Sequence, residues 1–122
     1  MAKILLIEDE EFLRDIYLEV LTSAGHEVDL AEDGLEGFKK TKKGGYDLVL
    51  LDVMLPEMDG RQILLEVTST KPEKPNGAYV YMTNLSHETL FEEGKKLGVK
   101  GVIIKSELTP DQFVNQVETF LK

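Results

Sequence analysis

The 122-residue sequence contains no cysteine and no tryptophan, and its apolar stretches are short. The absence of cysteine excludes disulfides, thiolate metal sites and thiol nucleophiles. No stretch approaches the roughly eighteen apolar residues of a membrane span, and acidic residues follow the short apolar start too soon for a secretory signal. With the modest length, these absences predict one domain, over residues 1–122, of a cytoplasmic protein.

Positive charge is also scarce. Lysine and arginine together number 14 against 23 acidic residues, which gives a net charge of −9 at pH 7. Such a surface repels nucleic-acid phosphates, so we expect no direct binding of DNA or RNA. It suits cations and basic partner surfaces, although solubility alone explains it equally well.

Five short apolar runs alternate with five helical patterns along the chain. The continuous run over residues 48–51 is typical of a strand buried on both faces of a parallel sheet. The pattern predicts a doubly wound α/β fold of the flavodoxin-like type, with strand order 2-1-3-4-5 and helices on both faces. The predicted strands cover residues 3–7, 26–31, 48–52, 78–82 and 101–104.

Capping residues mark several helix starts. Asp59 is expected to cap the third helix and Ser86 the fourth, and Thr109-Pro110-Asp111-Gln112 matches a capping box with proline in the first helical position. Gly94, inside the fourth helix, costs about 1 kcal/mol relative to alanine. We therefore expect the fourth helix to be the least stable.

The histidines and aromatic residues are predicted to take no part in chemistry. His26 and His87 show no partner spacing, which favours a surface position. The aromatic residues fit the apolar faces of the helices and are interpreted as core.

Polar residues occur where four of the predicted strands end. They are Glu8 and Asp9 after the first strand, Asp52 after the third, Thr83 after the fourth and Lys105 after the fifth. Since the carboxyl ends of parallel strands share one rim, we expect these side chains to lie together. Neighbouring carboxylates repel unless a cation joins them, and a few oxygen ligands with open water positions suit Mg²⁺. A cation, a hydroxyl, an ammonium group and a carboxylate nucleophile are the components of phosphoryl transfer.

Four segments make the sequence similar to a known family. Ile-Glu-Asp-Glu at 7–10, Asp52-x-x-Leu-Pro-x-Met-Asp-Gly ending at residue 60, Met82-Thr83 and Ile104-Lys105 resemble the receiver domain of two-component response regulators, the CheY-like domains. The resemblance covers essentially the whole chain. It implies a phosphorelay switch rather than an enzyme that turns over an external substrate.

The resemblance also implies roles for individual residues. Asp52 would accept a phosphoryl group from the phosphohistidine of a sensor histidine kinase or phosphotransfer protein, and Thr83 and Lys105 would contact that group. Phosphorylation would then change the face formed by the fourth helix, fifth strand and fifth helix, toward a downstream protein target.

The implied cofactor is Mg²⁺. Asp9 and Asp52 would bind it directly, Glu8 through water, and the backbone carbonyl of Met54 would supply a further ligand. Glu10 and Glu11, by contrast, are interpreted only as acids that favour a helix start.

Two residues near the lysine depart from the family pattern. Ser106 follows Lys105, where the family usually has proline, often in a cis bond. A cis bond before a non-proline residue costs about 2.5–4 kcal/mol, so we expect either a trans bond with a shifted loop or a strained exception. Val102 stands where the family commonly has an aromatic ring, so a switch would have to use loops or the fourth helix.

Three further residues concern access to the phosphoryl group. Met54 and Leu85 flank the path of attacking water in this family, and both are apolar here, which suggests slow loss of the phosphoryl group. Asn84 stands where the family mostly has a smaller residue, and is expected to narrow or polarise the approach.

Two alternatives remain at this point. One is a Mg²⁺-dependent phosphohydrolase with an aspartyl nucleophile, although such enzymes usually carry an acid where Met54 stands. The other is a degenerate receiver that binds partners without phosphate, which Ser106 and Val102 leave open.

Overall fold

Strands and helices alternate along the chain in the order that the sequence pattern predicts. The computed structural model describes residues 1–84 and 88–122, and only the backbone of Glu88. The elements in chain order are β1 (Lys3–Ile7), α1 (Glu11–Ser23), β2 (Glu27–Ala31), α2 (Gly34–Lys43), β3 (Leu48–Asp52), α3 (Gly60–Thr70), β4 (Ala78–Thr83), α4 (Glu88–Lys95), β5 (Val99–Ile104) and α5 (Pro110–Leu121). A 3-10 turn, Lys105–Glu107, joins β5 to α5. Among the helices of these residues, none is both long and apolar enough to cross a bilayer.

The five strands form one parallel sheet in the order β2-β1-β3-β4-β5, which confirms the predicted topology. Ile7 pairs with Leu51, and Thr83 pairs with Ile104. The carboxyl ends of these strands therefore reach one rim of the sheet. The direction of winding reverses between β1 and β3, where open α/β sheets form their ligand crevice.

Helices cover both faces of the sheet, so the strands need apolar side chains on both sides. Residues 4–7 of β1 alternate between two cores and are all 0% exposed. In the core that includes α1 and α5, the rings of Tyr17 and Phe113 stack with centroids 4.2 Å apart. Burial of each such leucine or isoleucine contributes about 1.5–3 kcal/mol, which holds the strand ends in register.

Side-chain caps fix the starts of α1, α3 and α5, and the sequence predicts two of these caps, at Asp59 and Thr109. Glu10 caps α1, and Asp59 with Gln62 forms a reciprocal capping box at α3. Thr109 and Gln112 form the same arrangement at α5. Ser86 and His87 lie outside the described residues, so their predicted roles stay predictions.

Gly94 has a packing function that helix propensity does not reveal. A Cβ atom at this position would lie 2.8 Å from a ring carbon of Tyr81 and 2.9 Å from the Cβ of Val99. Real Cβ atoms do not approach other atoms so closely, so only glycine lets α4 lie this near β4 and β5.

The prediction that His26 lies at the surface is wrong. Its side chain is 7% exposed, and its Nε2 lies 3.4 Å from Oε2 of Glu118 in α5. Its Nδ1 accepts a hydrogen bond of 3.2 Å from the backbone N–H of Ala2. Both partners are distant in sequence, so spacing gave no sign of them.

Candidate functional site

The polar residues predicted from the strand ends lie along the carboxyl rim of the sheet. Glu8 directly follows β1, Asp52 and Thr83 are the last residues of β3 and β4, and Lys105 directly follows β5. These four residues are buried, with exposures of 0%, 2%, 4% and 9% in that order. Asp9 is exposed. The rim therefore combines buried charges with one carboxylate that reaches solvent.

Lys105 joins the ends of β1 and β3. Its Nζ donates to Oδ2 of Asp52 at 2.7 Å and to Oε1 of Glu8 at 2.8 Å. These partners are 53 and 97 residues away in sequence, so only the folded sheet unites them. One ammonium group thus serves two buried carboxylates.

The Lys105–Ser106 peptide is trans, as are all peptide bonds of the described residues. Of the two geometries that the sequence leaves open, the structure has the one without a cis bond. The 3-10 turn begins at the lysine, and the Ser106 hydroxyl donates to the carbonyl of Asn84 at 3.3 Å. Serine at this position therefore connects the β5–α5 turn to the end of β4.

Asp52 is held by its own turn as well as by the lysine. Its Oδ1 accepts from the backbone N–H of Met54 at 3.0 Å, while Oδ2 faces Lys105. Gly60 lies close below this turn, since a Cβ there would be 2.6 Å from the Asp52 carbonyl oxygen. The start of α3 thus packs against the backbone that carries the aspartate.

Three carboxylates converge beside the lysine. One oxygen from each of Glu8, Asp9 and Asp52 lies within 4.8 Å of the others. The single positive charge of Lys105 cannot balance three ionised carboxylates, so the cluster has a surplus of negative charge when all are ionised. An all-oxygen donor set with this surplus fits a hard divalent cation such as Mg²⁺.

The environment of Glu8 changes the pKa of its carboxyl group. Burial, the largest influence, raises the pKa of Glu8 to about 7; the hydrogen bond from Lys105 opposes this shift, and the nearby Asp52 adds to it. Near neutral pH this carboxyl group is therefore divided between its protonated and ionised forms. A cation that enters the cluster would favour the ionised form.

For Lys105, the hydrogen bonds have a larger effect on the pKa than burial does. Burial alone would lower the pKa of Lys105, but the hydrogen bonds to Asp52 and Glu8 outweigh burial and raise it. Lys105 therefore stays positively charged throughout the physiological range. It provides a fixed positive charge at the end of β5.

A cavity of about 230 Å³ opens above this cluster. Its lining residues are Glu8, Asp9, Glu10, Leu13, Asp52, Met54, Asn84 and Lys105. Met54 is 71% exposed, so its apolar side chain lies at the mouth rather than in the core. Leu85, the second predicted flank of the water path, lies outside the described residues.

Sequence reasoning missed one residue behind the cavity. The guanidinium of Arg14 in α1 contacts the carbonyl oxygens of Glu8 and Asp9 at 3.1 and 3.4 Å. A signal was present, because Arg14 shares the helical stripe of Tyr17 and Leu21, and all three are buried. A charged residue within an apolar stripe indicates a buried polar partner.

The fold and the rim together define a class: an α/β protein with an acidic, lysine-bridged site at the switch point of its sheet. A family model described as the response regulator receiver domain matches residues 4–118. The chain belongs to this family.

Relatives of known name agree with this assignment. Chemotaxis protein CheY of Halobacterium salinarum is 36% identical over 107 residues, which are 86% of this chain and 86% of that protein. The transcriptional regulatory protein CusR of Escherichia coli strain K12 is 33% identical over 103 residues, 84% of this chain and 44% of that protein. PcoR of Escherichia coli is 32% identical, with 100% and 52% covered. The chain thus spans about half the length of these two transcriptional regulators.

Solved structures share the fold over nearly the full length. Chemotaxis response regulator CheY4 of Vibrio cholerae matches with a TM-score of 0.85 and 28% identity, over 98% of both chains. The receiver domain of sensor histidine kinase PA1611 from Pseudomonas aeruginosa, solved with a magnesium ion in its active site cleft, has a TM-score of 0.80. At 23% identity, with 98% of this chain and 97% of that one covered, the second likeness concerns the fold alone.

Proposed function

We propose that Asp52 is the phosphoryl acceptor of this receiver domain, and that residues 1–122 act as one phosphorelay switch. The observation that carries the proposal is the Asp52 carboxylate at the end of β3, 2.7 Å from the Lys105 ammonium and beside two further carboxylates. A purely structural aspartate needs only its ion pair. The additional acids are explained by a cation site next to a nucleophile.

The proposed reaction forms one bond and breaks one. An oxygen of Asp52 attacks the phosphorus of a phosphohistidine, a P–O bond forms, and the P–N bond breaks. The departing imidazole takes up a proton from solvent. Because Lys105 stays protonated, it offsets negative charge as the phosphoryl oxygens approach Asp52.

The acidic cluster is proposed to hold Mg²⁺. Asp9 and Asp52 would be direct ligands, Glu8 would act through water, and the Met54 carbonyl would complete the protein's share. Bound Mg²⁺ supplies positive charge that offsets the phosphoryl oxygens. The donor set supports this assignment, since it offers only oxygen atoms and since the Asp9 carboxylate is exposed to solvent, from which a cation can enter.

Thr83 and Lys105 are proposed to bind the transferred group. Thr83 ends β4, in register with Ile104, the residue directly before Lys105. A hydroxyl and an ammonium at adjacent strand ends can each donate to a different phosphoryl oxygen. This pair would make the site sensitive to the presence of phosphate.

The proposed partners are a sensor histidine kinase or phosphotransfer protein, which donates the group, and a downstream protein target. Because these donors act in the cytoplasm, a cytoplasmic location is part of the proposal. The output would be a shift in the face formed by α4, β5 and α5. Val102 in β5 is partly buried and carries no ring, so loop and helix positions would have to transmit the change.

The test is incubation with acetyl phosphate and MgCl₂, followed by intact mass measurement. We expect the mass of one phosphoryl group to be added to the wild type and to Asp59→Asn, whose aspartate caps α3, but not to Asp52→Asn. No added mass on the folded wild type would contradict the proposal and favour the degenerate receiver.

A second substrate distinguishes the receiver from the phosphohydrolase alternative. A receiver consumes acetyl phosphate only as fast as its own aspartyl phosphate is lost, whereas a phosphohydrolase also turns over an unactivated phosphomonoester such as p-nitrophenyl phosphate. We expect no steady turnover of that ester. Met54, at the position where these hydrolases usually carry an acid, has no group for proton transfer.

A further inference from the structure

Arg14 holds the backbone that carries the two acids at the end of β1. Its Nη1 lies 3.1 Å from the carbonyl oxygen of Glu8 and 3.4 Å from that of Asp9. Its Nη2 lies 3.2 Å from Oε1 of Glu32, directly after β2. The arginine is only 9% exposed. One guanidinium therefore connects α1 to two loops at the rim, from behind the cavity.

The loop held by Arg14 also orients the Glu8 side chain. The backbone N–H of Glu10 donates to Oε2 of Glu8 at 3.2 Å, while Oε1 faces Lys105. The carbonyls of residues 8 and 9 thus face the arginine, and an amide of the same loop faces the carboxylate. A rotation of this backbone would disturb both sets of bonds.

Asp9 depends on the same backbone more strongly. Within the described part of the chain, no side-chain hydrogen bond or ion pair is found that holds the Asp9 carboxylate. No neighbouring side chain therefore fixes this carboxylate, and the conformation of the loop decides where the Asp9 Cα–Cβ bond points. Arg14 acts on this conformation through the Asp9 carbonyl.

We propose that Arg14 is a positioning residue for the acidic cluster: it locks the β1–α1 loop in the conformation that brings Glu8 and Asp9 to Asp52. The inference rests on the proposed function, because it assigns a purpose to that cluster. Arginine suits the task because its fork reaches two carbonyls and a carboxylate at once, whereas lysine presents a single nitrogen.

The first measurement is Mg²⁺ affinity by calorimetric titration of the metal-free chain with MgCl₂. Loss of a group that orients metal ligands typically weakens affinity about 10- to 100-fold, and we expect this range for Arg14→Met, which keeps the apolar stem. Arg14→Lys should be intermediate. Glu32→Gln removes only the exposed ion pair and should stay within about twofold of the wild type.

The second measurement needs no metal. Amide hydrogen exchange of Glu10, followed by NMR in metal-free protein, should accelerate in Arg14→Met and stay unchanged in Glu32→Gln. At saturating MgCl₂, the maximum rate of phosphorylation by acetyl phosphate should return to that of the wild type. Because Mg²⁺ that binds the folded state would also rescue a merely destabilised protein, circular dichroism in metal-free buffer must first show that Arg14→Met is folded.

Wild-type Mg²⁺ affinity in folded Arg14→Met overturns the inference. If that variant fails to fold by circular dichroism, wild-type affinity together with wild-type Glu10 exchange in Arg14→Lys overturns it. Failure of the proposed function looks different: the wild type would bind no Mg²⁺ and accept no phosphoryl group. In that case accelerated Glu10 exchange in Arg14→Met would still support the hold on the loop, and unchanged exchange would refute it.

Discussion

Two lysine-centred clusters in this molecule use similar groups to opposite effect. At the rim, Lys105 bonds to Asp52 and Glu8, all three nearly inaccessible to solvent. At the edge of the sheet, Lys40 of α2 bonds to Asp29 of β2 at 2.9 Å, with side chains 33% and 40% exposed. The first cluster has more carboxylates than cations, and the second has equal numbers.

The edge cluster is satisfied by its own members. Asp29 also accepts from the Tyr46 hydroxyl at 2.6 Å, and Lys40 donates to the Leu30 carbonyl. Partial burial raises the pKa of Asp29, but the hydrogen bonds from Tyr46 and Lys40 outweigh it, so the pKa lies below its ordinary value. This cluster ties β2, α2 and the segment before β3 together, and it needs no further cation.

The rim cluster, by contrast, has too few cations to balance its carboxylates. The pKa of Glu8 is raised, chiefly by burial, where that of Asp29 is lowered. Under the proposed function, this difference separates the cluster that would bind a cation from the cluster that only joins elements of the fold. Two pairs of substitutions and one single substitution test this contrast.

The largest effect is expected when each lysine is removed. Lys105→Ala leaves Asp52 and Glu8 buried without a counter-charge, and breaking such a pair costs about 3–5 kcal/mol. Lys40→Ala breaks a partly exposed pair and should cost about 1 kcal/mol or less. Urea unfolding at pH 8 measures both. Equal losses would show that the two clusters do not differ.

The two substitutions of the second pair are expected to change the free energy of unfolding in opposite directions. Glu8 has a folded pKa of about 7 against an ordinary 4.5, so ionising it opposes folding, and its contribution to stability falls as pH rises between these values. Glu8→Gln should therefore stabilise metal-free protein at pH 8, by up to about 3 kcal/mol at 1.4 kcal/mol per pKa unit. It should also flatten the stability profile between pH 4.5 and 7.

Asp29→Asn is the matched substitution at the edge. Since the pKa of Asp29 is lowered, its ionised form favours folding, and that contribution is lost only as pH falls below the ordinary value of 3.8. The asparagine variant should be slightly less stable than the wild type at pH 8. Stabilisation by both substitutions, or by neither, in urea unfolding would remove the proposed distinction.

The smallest effect is expected at the tyrosine of the edge cluster. Tyr46→Phe removes one hydrogen bond to Asp29 and should cost about 1 kcal/mol, typical of a single bond. Its Mg²⁺ affinity and acetyl phosphate reaction should match the wild type. A change in either reaction property would mean that the edge cluster communicates with the rim.

Much of the fold could be predicted from local patterns. The run at 48–51 indicated a doubly covered strand because strands buried on both faces lose the alternation of polar residues. Capping residues such as Asp59 and Thr109 indicated helix starts because their side chains satisfy nearby backbone groups. These signals depend on a few consecutive residues, so they survive without knowledge of the tertiary structure.

Features that depend on distant neighbours were not predictable in this way. The His26 side chain is buried because Ala2 and Glu118 approach it, and Gly94 is needed because Tyr81 and Val99 lie against α4. Helix propensity and residue spacing carry no information about contacts between residues that are far apart in the sequence. Errors in the sequence interpretation therefore fell where segments far apart in the chain meet.

The sequence by itself determined that acidic and basic residues follow the apolar runs of a five-stranded α/β protein, because burial on both faces fixes strand length and strand length fixes where each strand ends. Only the tertiary structure decided that Lys105, in a trans peptide, bonds to two carboxylates and that Arg14 holds the loop beneath them. Those bonds depend on distances of about 3 Å between separate strands and helices, which the register of the sheet and the packing of α1 set together.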